Sequence, residues 1–316
     1  MKEGEYMSRK HYSTKLFYKY YLQWIHLYKE NAVREVTLSK YYLAYRKLRK
    51  LAPNLHMNEL DRRSYQALIN HYAKTHERKT TLDFHHHLKA SLVDAVDDGL
   101  LEQDPTRRVI IKGKDPAKKK QKFLNLYQLQ KLLGELELDD QVSWDWFILL
   151  VAKTGLRYAE ALALTPKDFD FEHSQIIVSK SWDYKSRYGR FQPTKNKSSN
   201  REVMIDWRLA QQFKTLIAGL PTEKPIFVKR KHPYNSTINS ILNRYCRQAG
   251  IPIISIHGLR HTHASLLLYE GVSIASVAKR LGHANTTTTQ QTYIHIISEL
   301  ENKDNDKVMQ HLSKLM

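Results

Sequence analysis

Two arginines stand in matching settings in this chain. Arg157 lies in TGLRYAE and Arg260 in HGLRHTHA, each directly after a Gly-Leu pair and at what reads as a helix start. A guanidinium group is planar and permanently charged, and it donates paired hydrogen bonds to phosphate oxygens. The free N–H groups of a helix start also favour an anion. His257 precedes Arg260 by one helical turn, and an imidazole takes or gives a proton near neutral pH. Farther on, LGHANTTTTQQTYIHI sets His283 ten residues before Tyr293. A phenol, with a reference pKa of about 10, becomes a nucleophile only beside cations and a proton acceptor. His257 and His283 are candidates for that environment. Lys195 and Lys197, in PTKNKSSN, could bring an ammonium to a leaving oxygen from what reads as the polar tip of a hairpin. Such a set suits cleavage of a phosphodiester, whose transition state gathers negative charge on the non-bridging oxygens. Each member also has a plainer reading. The arginines and lysines could be solvated, and Tyr293 could sit on the buried face of a short helix opened by Thr286.

Metal chemistry finds little support despite 16 histidines. The run His85, His86, His87 points three ways on a helix. His257 and His261 have i, i+4 spacing and His263 follows, but no HExxH pattern or nearby carboxylate accompanies them, and Arg260 would repel a cation. His261 and His263 read as structural, or as hydrogen-bonded to backbone. No GxxxxGK[ST] or GxGxxG pattern supports nucleotide binding.

The formal net charge is +19. Residues 1–122 hold 26 Lys and Arg against 14 Asp and Glu, which is +12, and the remainder holds 25 against 18, which is +7. Both halves are basic, and the charges interleave with aromatic and aliphatic residues. The partner implied is a long polyanion, and nucleic acid fits better than a membrane surface because no single basic amphipathic helix dominates. No apolar run approaches the roughly 20 residues that cross a bilayer. The N-terminus lacks the apolar stretch of a secretory signal. A single cysteine, Cys246, excludes an internal disulfide framework and fits a reducing cytoplasm. It falls on the apolar stripe of Ile238, Ile241, Leu242 and Tyr245, which reads as core.

The elements that must position these groups follow from periodicity. Helices are predicted over 14–30, over 38–51 with Thr37 as cap, from Asp61 to about 76, and over 80–98 with Gly99 as stop. These make a helical unit of residues 1–112. Residues 113–122 read as a basic linker whose Lys118, Lys119 and Lys120 could meet phosphates. A linker between two basic domains would let them close around a duplex. The second domain, 123–316, is predicted to hold helices near 125–137, 146–152 and 157–164, then three short strands within 174–206. Helices return over 207–219, 236–249, 258–270, 273–282, 287–295 and 298–315. The class is mainly α with a small antiparallel β-sheet.

TGLRYAEALAL, PTKNKSSNREV, HGLRHTHASLLL and LGHANTTTTQQTYIH, in that order, resemble the arginine, lysine-hairpin, His-x-x-Arg and His-to-Tyr boxes of the tyrosine recombinases, in particular the integrases of phages and mobile elements of Gram-positive bacteria. The resemblance covers about residues 10–316 and implies the two-domain architecture of DNA-breaking and rejoining enzymes. It implies that Tyr293 attacks the scissile phosphate and forms a 3′-phosphotyrosyl link, that Arg157 and Arg260 hold the non-bridging oxygens, that His257 assists proton transfer and that His283 hydrogen-bonds the phosphate. Lys195, or alternatively Lys197, would protonate the leaving 5′-oxygen, and Glu160 would buttress the site. Neither metal nor ATP is implied, so no cofactor is expected. The partners implied are double-stranded attachment or recombination sites, a homotetramer on DNA formed through a C-terminal helix at about 298–316, and accessory bending or directionality proteins. Two departures stand out. The helical domain starts almost at once, which puts an arm-site-binding module in doubt, and Asn196 replaces the usual threonine beside the lysine. A dimer-resolving recombinase of Xer type, a type IB topoisomerase-like enzyme, or a non-enzymatic helix-turn-helix protein built on SIASVAKRLGHANTTTTQQTY are the competing readings.

Overall fold

A computed structural model describes residues 14–116, 121–186, 188–229, 234–293 and 313. Lys118, Lys119, Lys120 and the expected C-terminal helix at 298–316 lie outside the described residues, apart from Ser313. The chain divides into two compact units, Met1–Lys119 and Lys120–Met316.

The described part of the first unit is helical: α1 (Phe17–Tyr28), α2 (Glu35–Leu51), α3 (Arg62–Ala73) and α4 (Arg78–Asp97). Phe17, Tyr21, Trp24, Ile25, Leu48, Tyr65, Ile69, Leu88 and Leu92 form its core. Its polar aromatics bury their rings only because their tips find partners. Tyr20 donates to Ser91 O at 3.0 Å, Trp24 Nε1 donates to Asp94 at 2.6 Å, and Tyr65 Oη meets His85 Nδ1 at 3.1 Å. Asp61 caps α3, accepting from Ser64 N. α2 starts three residues before the expected site, with Arg34 as N-cap and Thr37 inside the first turn. Glu35 opens that turn, where an acid complements the helix dipole.

In the second unit, α5 (Leu126–Gly134), α6 (Trp144–Thr154) and the short α7 (Tyr158–Leu162) precede β1 (Phe169–Asp170), β2 (Gln175–Val178), β3 (Lys180–Trp182), β4 (Phe191–Pro193) and β5 (Arg201–Met204). α8 (Trp207–Leu216), α9 (Asn235–Gln248), α10 (Ile256–Tyr269) and α11 (Ile274–Leu281) follow, and the helix α12 occupies 286–293. α6 is apolar apart from Asp145, Lys153 and Thr154 and is buried nearly throughout, as a central helix must be. α10 packs along it, and Cys246 of α9 is fully buried in the same core.

The strands correct the expected hairpin. β1, β2 and β5 form one antiparallel sheet, with Ile176 opposite Val203 and Val178 opposite Arg201. β3 and β4 form a separate antiparallel pair, with Trp182 opposite Phe191. Lys195 and Lys197 therefore sit not on a hairpin tip but on the crossover from one small sheet to the other. Side-chain hydrogen bonds give that crossover its shape. Thr194 Oγ1 donates to Asn196 O and Asn200 Oδ1, at 3.0 and 2.7 Å, while Ser198 and Ser199 hydroxyls turn to Asn196 Oδ1.

Two left-handed glycines end the helices that matter most. Gly155 terminates α6 and Gly282 terminates α11, both with φ of +67°. A Cβ on Gly155 would lie 2.7 Å from His263 Cδ2 and 3.0 Å from Leu281 Cδ2. Gly155→Ala is expected to lower stability by about 1–3 kcal/mol in urea denaturation of the full chain. Gly134→Ala, at a helical glycine where nothing lies within 4 Å, is expected to be neutral or stabilising.

Candidate active site

After Gly155 the chain buries Leu156 and turns Arg157 into the extended N-cap of α7. Arg157 holds one carboxylate twice: its backbone N–H donates to Glu160 Oε2 at 3.0 Å, and Nη1 donates to Glu160 Oε1 at 2.7 Å. Its Nη2 reaches across to Gly282 O at 3.0 Å. Glu160 is 3% exposed and also accepts from Arg201 Nη2 at 3.0 Å. Burial alone would raise its pKa. The Arg201 and Arg157 cations outweigh that effect and hold it below the usual carboxylate value.

Arg260, on the first turns of α10, is 3% exposed. Its Nη1 donates to Gly155 O and its Nη2 to Leu281 O, both at 2.7 Å. The guanidinium thus occupies the carbonyl ends of α6 and α11, which helices leave without internal partners. Burial, and next the Arg157 cation, lower its pKa to about 9, which leaves it charged at neutral pH.

His283 follows Gly282 and pairs through Nδ1 with Thr289 Oγ1 at 2.8 Å. Burial, then Arg260, Arg157 and Arg201, depress its pKa to about 4. Asn285 caps α12 by accepting from Thr288 N at 3.2 Å. The helix then carries Tyr293 into a small core of Ala264, Leu268, Val277 and Leu281, where the ring is 2% exposed. Its hydroxyl is 2.9 Å from His261 Nδ1. Burial raises the phenol to about 12, with Arg260 pulling the other way. Tyr293 is therefore buried, as the plainer reading has it, and also within the electrostatic reach of Arg260, as the nucleophile reading requires.

The structure gathers Arg157, Glu160, Arg260, His283 and Tyr293 around the ends of α6 and α11. His257 stands one turn before His261 and meets it edge to face, with centroids 4.7 Å apart. Partial burial, then Arg260 and Arg157, lower its pKa. Lys195 and Lys197 are exposed, and among the described residues their ammonium groups join no hydrogen bond or ion pair.

Sequence reasoning missed Arg201 and misjudged His261. Arg201 opens β5 opposite Val178, which turns its side chain inward. Besides Glu160, it donates from Nε to Arg280 O at 2.6 Å and from Nη1 to Ser199 O at 2.9 Å. His261 bonds Tyr293, not backbone. His263 is the structural one. Its Nδ1–H donates to Ala152 O at 3.1 Å, and its Nε2 accepts from Arg280 Nε at 2.8 Å. Those partners fix a neutral tautomer, and burial lowers its pKa to about 3. The i, i+4 spacing of His257 and His261 was the only available signal, and it showed a shared face without showing what lay opposite.

Arg157, Arg201 and Arg260 thus surround one buried carboxylate, a surplus of positive charge that suits an anion. Among the described residues, no group of three or more His, Cys, Asp or Glu side chains could hold a metal, and no helix is long and apolar enough to cross a membrane.

The phage integrase family model matches residues 122–299. The ICEBs1 integrase of Bacillus subtilis is 30% identical over 228 residues, which is 68% of this chain and 61% of that protein, so the matched part spans about three fifths of that relative. The integrase of Staphylococcus phage L54a is 23% identical over 286 residues, 81% of each chain. A solved structure of the Tn1549 transposon integrase in complex with a circular-intermediate DNA has the same fold. Its TM-score is 0.73 at 19% identity, covering 91% of this chain and 99% of that one.

Two outcomes follow from the geometry. Arg201→Met leaves Arg280 O without its donor and Glu160 without one of the two arginines bonded to it, both in a buried setting. It is expected to cost about 3–5 kcal/mol by chemical denaturation. The imidazole of His263 is neutral when folded and titrates near 6.5 when unfolded. Its contribution is complete above that value and is lost as pH falls from about 6.5 toward 3. His263→Gln, which can still donate to Ala152 O and accept from Arg280, is expected to flatten the acid limb of stability against pH, by up to about 1.4 kcal/mol per pH unit.

Proposed function

Because this chain belongs to the phage integrase family, we propose that it is a site-specific recombinase that cuts and rejoins duplex DNA through a 3′-phosphotyrosyl link on Tyr293. The observation that carries this reading is the Tyr293 hydroxyl, hydrogen-bonded to His261 on the helix that bears Arg260, while Arg260 and Arg157 grip the same α11 carbonyl end. Arg157 and Arg260 donate to the non-bridging oxygens of the scissile phosphate, and Glu160 keeps Arg157 oriented. His283 donates a further hydrogen bond, and His257 assists proton movement. Tyr293 Oη bonds phosphorus as the bond to the 5′-oxygen breaks, and that oxygen takes a proton from Lys195, or from Lys197 beside it. The phosphodiester is exchanged for a phosphotyrosyl diester, so the strand rejoins without an energy source.

The substrate is double-stranded DNA at attachment or recombination sites, where the basic surplus of both halves and Lys118, Lys119 and Lys120 meet the backbone. The relatives are named integrases of an integrative element and of a phage, which favours integration or excision of a mobile element in the cytoplasm. Strand exchange between two duplexes calls for a homotetramer on DNA, aided by bending or directionality proteins. A purely DNA-reading role for α11 and α12 is disfavoured, because α12 buries Thr289 and Tyr293 against the protein.

Covalent capture tests the reading. The full chain is mixed with nicked suicide duplexes from the DNA flanking its own reading frame. The wild type is expected to leave an adduct that survives denaturant, and Tyr293→Phe none. Arg157→Ala is expected to keep DNA binding while adduct formation falls about 10²–10³-fold. An adduct that persists in Tyr293→Phe sinks the assignment of the nucleophile.

A further inference from the structure

The hydroxyl of Tyr293 makes one hydrogen bond among the described residues, to His261 Nδ1 at 2.9 Å. The two rings meet at 62° with centroids 5.8 Å apart, and the phenol is 2% exposed. His257, the histidine expected from sequence to assist proton transfer, is not the one in contact. It lies one turn away and meets His261 edge to face.

We propose that His261 is a catalytic residue: Nδ1 accepts the phenolic proton as Tyr293 Oη attacks phosphorus, and returns it when the strands rejoin. This rests on the recombinase reading. In cleavage the Oη–H bond breaks and an Nδ1–H bond forms. The Oη–P bond forms as P–O5′ breaks, and the leaving oxygen takes its proton from the separate lysine acid. In rejoining, the incoming 5′-hydroxyl gives its proton back to that lysine and attacks phosphorus, and Oη leaves with the proton held by His261. Every bond made in one direction is broken in the other.

A proton acceptor must be unprotonated. Burial, then His257, Arg260 and Lys122, hold the His261 pKa at about 4, so the ring is a free base at neutral pH. The groups facing it are His257 and Arg260 on its own helix, Lys122 from the segment ahead of α5, Tyr293 on α12, and His283, which also feels its charge. A base that weak takes little from a resting phenol at about 12. The balance shifts during reaction. As Oη bonds phosphorus its proton becomes strongly acidic, and the phosphate seated among the arginines offsets the cations that depress His261. Proton transfer therefore accompanies or follows bond formation and does not precede it.

Single-turnover cleavage of the nicked suicide duplex by the full chain tests this. His261→Ala is expected to bind the duplex as wild type does and to form adduct about 10²–10⁴-fold more slowly. Added imidazole is expected to restore the rate, and methylated imidazoles to do so in order of their basicity. His261→Asn keeps a polar partner for the hydroxyl but cannot carry the proton, and is expected to stay slow. Adduct formation by His261→Asn at the wild-type rate, or rescue indifferent to basicity, would reduce His261 to a positioning contact and overturn the proposal while leaving the recombinase reading intact. A wild type that forms no adduct overturns both.

Discussion

The second unit is organised around a buried cation that holds two helix ends together. Arg260 is 3% exposed, and such a charge is tolerable only with compensation. Here the compensation is geometric. The C-terminal ends of α6 and α11 converge on the guanidinium, each contributing a carbonyl at 2.7 Å and the negative pole of its helix. Glycine in the left-handed conformation ends both helices, Gly155 bearing one of those carbonyls itself and Gly282 following the other, and so turns the chain out of the helix there. The two Gly-Leu-Arg settings look alike in sequence but do different work. The first glycine supplies a carbonyl to the second arginine, whereas Gly258 sits in the first turn of α10 against Lys122 O and Ile254.

From that junction a second tier of contacts spreads outward. Arg157 joins Gly282 O to Glu160, Glu160 joins Arg157 to Arg201, and Arg201 joins Glu160 to the backbone of Arg280. Arg280 is itself aimed by neutral His263 and by the carbonyls of Met204 and Lys153. Cations placed this close repel one another: after burial, the Arg157 cation is the next cause of the lowered pKa of Arg260. One carboxylate and a set of oriented carbonyls offset that repulsion without neutralising it. The surplus is what a phosphate would complete. Because each donor is fixed by packing and by a further hydrogen bond, little reorganisation remains to be done when charge develops.

The sequence makes the local part of this legible and leaves the long-range part hidden. Helix periodicity placed α1, α3, α4, α9, α10 and α11 within a few residues, and the spacing of the boxes singled out Arg157, His257, Arg260, His283 and Tyr293. Three things escaped. α2 begins before Thr37 because the first turn follows Glu35 and an extended Arg34, not the nearest hydroxyl. Strand pairing escaped because β4 and β5 are neighbours in sequence but lie in different sheets, and no pattern of alternation says which strand a residue will face. Arg201 and His261 escaped for the same reason. Their roles are set by Glu160, 41 residues away, and by Tyr293, 32 residues away, and those separations close only in the fold.

The threonine run explains how Tyr293 is held. Thr286 to Thr289 are β-branched and poor helix formers, so α12 owes little to intrinsic propensity. It is fixed instead by its Asn285 cap and by two tertiary anchors, Thr289 to His283 and Tyr293 to His261. In the recombinase reading, both histidines are groups that meet the phosphate or the phenol during reaction. The contacts that hold the helix at rest are then the ones the substrate draws on. A stronger helix former in that run would anchor α12 independently of those contacts. The weak sequence instead ties the position of Tyr293 to the state of the two histidines, the side chains that the recombinase reading sets to work on the phosphate and the phenol.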